Sequence, residues 1–224
     1  MSTYLITGAN RGIGLALAKQ LAGRQDIVLG TARDPGAATE AFEAGVEMLE
    51  LDVADPKSVA GLAEQVGDRP IDVLINNAGV YNDKSELAET DIEKFNECMR
   101  VNVAGPLAVT QALLPRLEAG GKQMVVNISS GMGSIGETRN GGSYGYRASK
   151  AALNMITKVM SVELAPKGIA SVCFHPGWVE TDMGGQGADL QPAESANHLI
   201  VTLDGLTTAD TGRFMDYKGE DMPW

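Results

Sequence analysis

Tyr146 and Lys150 stand four residues apart in the run Ser143-Tyr144-Gly145-Tyr146-Arg147-Ala148-Ser149-Lys150. On a helix those two positions share a face, so a phenol and an ammonium can address one small volume. A free tyrosine, with a pKa near ~10, holds its proton too tightly to shuttle it at neutral pH. A neighbouring cation favours phenolate and is expected to pull that pKa down. Such a pair is a tunable proton donor and acceptor, as interconversion of an alcohol and a carbonyl requires. Tyr144 competes for the same role, but the residue four after it is Ala148, so only Tyr146 has a lysine partner. Taken alone, Tyr-x-x-x-Lys is a common helix-surface pairing, and its weight comes from the rest of the chain.

Near the N-terminus, Tyr4-Leu5-Ile6-Thr7 reads as a short apolar strand that runs into Gly8-Ala9-Asn10-Arg11-Gly12-Ile13-Gly14. Leu15, Leu17, Ala18 and Leu21 then follow with helical spacing. Strand, glycine-rich turn and helix are the context in which glycines admit a pyrophosphate against the backbone. The helix N-terminus offers the anion free N–H groups and the positive end of the helix dipole. The spacing is Gly-x-x-x-Gly-x-Gly. A Walker loop is excluded, because no Gly-Lys-Ser/Thr follows.

Positioning these groups requires a scaffold, and the chain supplies a regular one. Strand candidates are residues 4–7, 27–31, 46–51, 73–76, 124–128, 169–174 and 214–216, with helical patterns such as 60–66, 92–101 and 148–164 between them. Val/Ile/Leu-rich strands alternating with helices predict a parallel sheet covered on both faces. Right-handed crossovers then give a doubly wound, three-layer α/β fold of Rossmann type. No linker, repeat or low-complexity stretch divides residues 1–224, so one dinucleotide-binding domain is expected. In such sheets ligands bind beyond the carboxyl ends of the strands. There the turn at Gly8–Gly14, Arg33, Asp52, Asn76–Gly79, Ser129-Ser130 and Pro176–Thr181 would all converge.

Composition narrows the partners. A formal charge of −11 disfavours nucleic acid and anionic membrane surfaces, and no apolar run approaches membrane-spanning length. Cys98 and Cys173 lie in no ligand or disulfide pattern, and His175 and His198 lack ligand spacing. No metal site is expected, and the two thiols fit a reducing, cytoplasmic setting.

Thr7–Gly14, Asn76-Asn77-Ala78-Gly79, Ser130 and Tyr146-x-x-x-Lys150 together resemble the classical short-chain dehydrogenase/reductases, in that family's order and over nearly the whole chain. The ending Gly212-Arg213-Phe214-Met215-Asp216-Tyr217, with Pro223-Trp224, resembles the small sniffer-type carbonyl reductases and the C-factor proteins within it. The resemblance implies hydride transfer between a nicotinamide and a carbonyl or secondary alcohol, with Tyr146 as general acid/base. It selects Ser130 over Ser129, because x-x-Gly133 follows, to hold the substrate oxygen. It gives Lys150 the nicotinamide ribose and makes Asn102 the fourth catalytic residue, one the chain alone would present only as a polar helix residue. It puts Asp52 and Val53 against adenine, and Asn77, Ala78 and Gly79 along the cofactor. Pro176, Gly177, Val179 and Thr181 would meet the carboxamide, and residues 178–189 would form a short mobile lid over substrate.

Cofactor choice follows from the end of the second strand. An NAD site usually carries an acidic residue there for the ribose 2′-OH. By the family's register Ala32 takes that position, with Arg33 next and Arg11 inside the glycine turn, which favours NADP(H) over NAD(H); a one-residue shift would bring in Asp34 instead. The resemblance also implies a homo-oligomer, a dimer or tetramer, paired through residues 92–117 and 148–164. The C-factor likeness leaves an alternative, a nucleotide-binding signalling or regulatory protein on the same fold. Val80, Tyr81, Met132, Ile135, Tyr144 and Trp178 are candidate walls of a partly apolar pocket. Sixteen positions separate Ser130 from Tyr146, and the polar, glycine-rich stretch between them makes substrate identity unreadable from relatives.

Overall fold

Seven short apolar runs pair into one parallel sheet in the computed structural model, which describes residues 1–224. They are β1 (Thr3–Ile6), β2 (Ile27–Ala32), β3 (Glu47–Glu50), β4 (Val73–Asn76), β5 (Met124–Ile128), β6 (Ala170–His175) and β7 (Phe214–Asp216). The spatial order is β3-β2-β1-β4-β5-β6-β7. The chain therefore winds outward from β1 in one direction, then returns to the other side of β1 at β4. That reversal is the switch point at which doubly wound sheets open a crevice. Every expected strand is present, shifted at its ends by a residue or so.

The helices are α1 (Gly12–Gly23), α2 (Thr39–Glu43), α3 (Pro56–Val66), α4 (Ile92–Met99), α5 (Gly105–Glu118), α6 (Tyr144–Leu164) and α7 (Pro192–Gly205). Strand side chains alternate between two cores, as the two-residue period of a strand requires. Tyr4, Ile6, Val73 and Ile75 pack with Leu17, Leu21, Leu199 and Leu203 of α1 and α7. Leu5, Leu74 and Val125 pack on the opposite face with Leu62, Leu113 and Met160 of α3, α5 and α6. These are the three layers the alternation predicts.

Two helix boundaries differ from the sequence pattern, and both bear on the site. Helix α6 begins at Tyr144, four residues before its apolar periodicity becomes visible, so Tyr146 and Lys150 do share a helix. Between α4 and α5 the chain makes a π-helical turn, Arg100–Ala104, instead of running on as α-helix. Such turns insert a residue into a helix and re-aim side chains. This one turns Asn102 into the protein, where it is fully buried.

Candidate active site

The glycine turn is shaped by close approach. A Cβ on Gly14 would stand 2.2 Å from the Gly8 carbonyl oxygen and 2.4 Å from Asn77 Nδ2, so α1 can lie on the turn only with glycine there. Gly8 has φ +68°, a left-handed conformation that suits glycine. Asn77 holds the turn in place. Its Nδ2 donates to the carbonyls of Thr7 (2.9 Å) and Gly8 (3.1 Å), while the Thr7 hydroxyl accepts from the N–H groups of Asn77 and Ala78, both at 3.0 Å. The first turn of α1 has no side-chain cap and no acidic residue. Its leading N–H groups are left for an external anion. These features fit a dinucleotide pyrophosphate.

A cleft of about 590 Å³ runs from this turn along the carboxyl ends of β1, β2, β4 and β5. Gly8, Asn10, Arg11, Gly12 and Ile13 line it at one place; Arg33, Asp52 and Val53 at another; and Asn77, Ala78, Gly79, Tyr146, Lys150, Pro176 and Thr181 farther along. The convergence expected from strand ends is therefore present in space. Five expected site residues lie behind the lining. Gly14 packs the turn. Gly177 leaves room for Leu190, to which a Cβ there would come within 2.6 Å. Val179 is buried and paired with Leu190. Asn102 and Ser130 stand deeper, beside Tyr146 and Lys150.

Asn102 clamps Val80 from both sides: Oδ1 accepts from its N–H (2.8 Å) and Nδ2 donates to its carbonyl (2.9 Å) and to Ser149 Oγ (3.0 Å). The two serines after β5 differ in their hydrogen bonds. Ser129 is tied into the interior through Asn154 Oδ1 (2.5 Å), whereas the Ser130 hydroxyl accepts from Met132 N–H (3.1 Å) and favours the ionised form of the Tyr146 phenol. Tyr146 is 8% exposed and Tyr144 40%, which separates the two tyrosines. Lys150 Nζ donates to the Ile128 carbonyl (2.8 Å) and lies 5.6 Å from the centre of the Tyr146 ring.

The electrostatics correct one expectation. Burial pushes the Tyr146 phenol up to about 12, opposed only in part by the Ser130 hydroxyl. Lys150, itself pushed down to about 8 by burial, does not offset this. Desolvation outweighs the cation because the ammonium is spent on a carbonyl and faces the ring instead of standing at the hydroxyl.

Two arrangements were not legible in the sequence. Residues 178–189 form a chain of tight turns, with Trp178 Nε1 donating to the Gly184 carbonyl (2.9 Å) and Thr181 Oγ1 accepting from Gly184 N–H (3.0 Å). From it Asp182 reaches across the cleft to Arg11 (2.5 Å), so that arginine is already engaged. Arg33 is exposed and forms no ion pair. Asp52 Oδ1 accepts from Ala54 N–H (2.9 Å), so one of its oxygens serves as a turn cap. Deeper still, Asn76, Asn127, Thr110 and Thr157 form a buried hydrogen-bonded ladder across β4 and β5.

A doubly wound sheet with a phosphate-ready turn and a Ser–Tyr–Lys group on one cleft defines the nicotinamide-dependent oxidoreductase class. A family model described as short chain dehydrogenase matches residues 2–190, and the chain belongs to that family. The C-signal of Myxococcus xanthus is 44% identical over 162 residues, 72% of this chain and 98% of that protein. Among solved structures, carbonyl reductase Sniffer of D. melanogaster superposes with a TM-score of 0.94 at 32% identity, covering 100% of both chains. An NADPH-bound carbonyl reductase from chicken fatty liver does so with a TM-score of 0.94 at 33% identity, covering 100% of this chain and 99% of that one.

Proposed function

We propose that this chain is an NADP(H)-dependent reductase of aldehydes and ketones, able to oxidise secondary alcohols in reverse. The observation that carries this reading is the gathering of Ser130, Tyr146 and Lys150 at one end of the cleft whose other end is the glycine turn. When bound, a reduced nicotinamide supplies the hydride. Ser130 orients the substrate oxygen by a hydrogen bond. Tyr146 gives that oxygen its proton as negative charge develops there. Lys150 holds the ribose and keeps positive charge near the developing alkoxide. Asn102 fixes the backbone at Val80 and so the wall beside the phenol. Burial keeps the phenol protonated across neutral pH, which suits the reductive direction. The two unpaired, buried thiols fit a reducing, cytoplasmic setting, and no helix is long and apolar enough to cross a membrane.

The preference for NADP(H) rests on Arg33, exposed on the cleft beside the buried, neutral Ala32. Arginine offers a planar fork to phosphate oxygens. Arg11 is a second such group once it exchanges Asp182. Asp34, next along the same wall, argues the other way. One charge-assisted contact contributes roughly 1.5–3 kcal/mol, or about one to two decades of affinity. Arg33→Ala is thus expected to weaken NADPH binding by about ten- to hundredfold and to leave NADH binding nearly unchanged. Fluorescence titration of both cofactors measures this, and equal weakening of the two would remove the assignment.

The relative named C-signal favours a second reading, a nucleotide-binding signalling protein on the same fold. A protein that only senses nucleotide has no need of all four of Asn102, Ser130, Tyr146 and Lys150. Purified protein presented with a panel of aldehydes, ketones and alcohols, with NADPH and NADH followed separately, decides between the two. Turnover with NADPH supports the reductase; cofactor binding without turnover on any carbonyl supports the second reading.

A further inference from the structure

Tyr81 lies flat on Tyr146. The ring centroids are 4.4 Å apart and the planes differ by 28°. Nothing in the acid-base chemistry of Ser130, Tyr146 and Lys150 calls for a second tyrosine, and Tyr81 does not line the cofactor cleft. Its surroundings are nonetheless built to hold it. The backbone before it is clamped at Val80 by Asn102. After it, the Asn82 side chain bonds Glu97 and accepts from Cys98 Sγ (3.2 Å). The buried Asp83 carboxylate accepts from Ser85 N–H (2.9 Å) and Asp91 N–H (3.2 Å). The loop around Tyr81 is therefore pinned, and only the side chain has freedom to swing.

That freedom is removed by Ser143. The Tyr81 and Ser143 hydroxyls share a hydrogen bond of 2.7 Å. Ser143 is the N-cap of the helix that carries Tyr146 and Lys150, a place where a serine hydroxyl ordinarily accepts from the helix's own N–H groups. Here it makes no cap bond, and its backbone is left-handed, φ 56°, uncommon for a residue other than glycine. Its own N–H is tied to the Ser85 carbonyl (3.1 Å), back in the Tyr81 loop. A helix start thus forgoes its usual cap to anchor an aromatic ring against the phenol. On the outer side, Lys84 Nζ stands 5.0 Å from the centre of the Tyr81 ring. An ammonium at that distance is attracted to the ring face.

We infer that Tyr81 is a positioning residue: latched by Ser143, its ring fixes the plane of the Tyr146 phenol and shields it from water, so that the hydroxyl stays aimed at the substrate oxygen beside Ser130. The inference rests on the reading of Tyr146 as the proton donor. An aromatic pair in this geometry is worth up to about a factor of ten. An error of even one ångström in a donor's placement costs rate, not binding.

The test uses the full chain with NADPH and its best carbonyl substrate. Tyr81→Leu keeps apolar bulk but removes the flat ring. It should lower kcat by about five- to tenfold while KM and the NADPH Kd stay within about twofold. Tyr81→Phe keeps the stack and loses only the latch, so its kcat should fall clearly between those of Tyr81→Leu and wild type. Ser143→Ala should match Tyr81→Phe, and the two together should cost no more than either, since both remove one hydrogen bond. In a Tyr146→Phe background, Tyr81→Leu should have no further effect on the residual rate, because it acts through the phenol. A Tyr81→Leu enzyme with wild-type kcat, a loss spread over KM and NADPH affinity, or a full additive loss in the Tyr146→Phe background would overturn the inference. If Tyr81→Leu does not fold, the Phe and Ser143→Ala comparison with its additivity decides alone. A wild type without turnover, or a fully active Tyr146→Phe, removes the underlying reading instead; an active wild type with an indifferent Tyr81 removes only the stack.

Discussion

At Tyr146 burial outweighs the Ser130 hydroxyl, and the phenol is pushed up to about 12. The phenol therefore remains a donor well beyond neutral pH. Lys150 is the group that titrates first. Burial lowers its value to about 8, so its charge is present below that pH and lost above it. The carbonyl-reduction rate at saturating NADPH should accordingly hold through neutral pH and fall as pH passes about 8, from loss of the lysine charge. A pH–rate profile checks this; a rate still level well above pH 8 would deny Lys150 an electrostatic role. Tyr146→Phe should keep fold and cofactor binding and lose roughly 10²–10⁴-fold in turnover. Tyr144→Phe, at an exposed ring, should stay near wild type. Equal losses would mean the acid had been assigned to the wrong tyrosine. The sequence separates these rings, because only one has a lysine at the fourth position after it, and their burial differs as well. The direction of the pKa shift is not readable there, because it comes from burial by parts of the chain far from Tyr146 in sequence, Tyr81 stacked on the ring among them.

Among the elements, the strands were readable to within about a residue because runs such as Val73–Asn76 and Met124–Ile128 are buried on both faces and apolar but for one asparagine each. Helix starts were harder. The first turn of α6, Tyr144–Arg147, has no apolar periodicity, and its N-cap serine bonds elsewhere. The π-helical turn at Arg100–Ala104 has no sequence signature at all, so the burial of Asn102 could come only from resemblance. The join of β1 to α1 yields a sharper expectation. Gly14→Ala would drive a methyl into the Gly8 carbonyl and Asn77. It should cost about 1–3 kcal/mol of stability, the usual penalty of overpacking, and weaken NADPH binding, because the turn must open to admit it. Gly61, inside α3, has nothing within 4 Å of where a Cβ would stand. Gly61→Ala should instead stabilise by about 0.5–1 kcal/mol. Thermal melts of the pair, with NADPH titrations, compare them; a harmless Gly14→Ala would mean the turn is not held as tightly as Asn77 implies.

For the molecule as a whole, the face of α6 turned away from the active site is the informative surface. Tyr146, Lys150, Leu153 and Thr157 point inward, while Met155, Val159 and Val162 are 64%, 54% and 70% exposed. Their spacing of four and three residues makes one apolar stripe on the helix. Contiguous apolar surface of this kind marks an interaction site more often than a bare solvent face. We propose that two copies pair through it, each covering roughly 800 Å². With a net charge of −11 on each chain, copies repel at long range, so an apolar contact must overcome that repulsion. Salt screens the repulsion without weakening apolar burial. The dimer should therefore tighten as ionic strength rises, the opposite of an assembly held by ion pairs. Val159→Glu should shift the equilibrium to monomer, and because α6 also carries Tyr146 and Lys150, the monomer should melt lower. Sedimentation analysis at micromolar concentration in low and moderate salt tests this. A wild type that is monomeric at both, or a dimer indifferent to Val159→Glu, would place assembly elsewhere or nowhere.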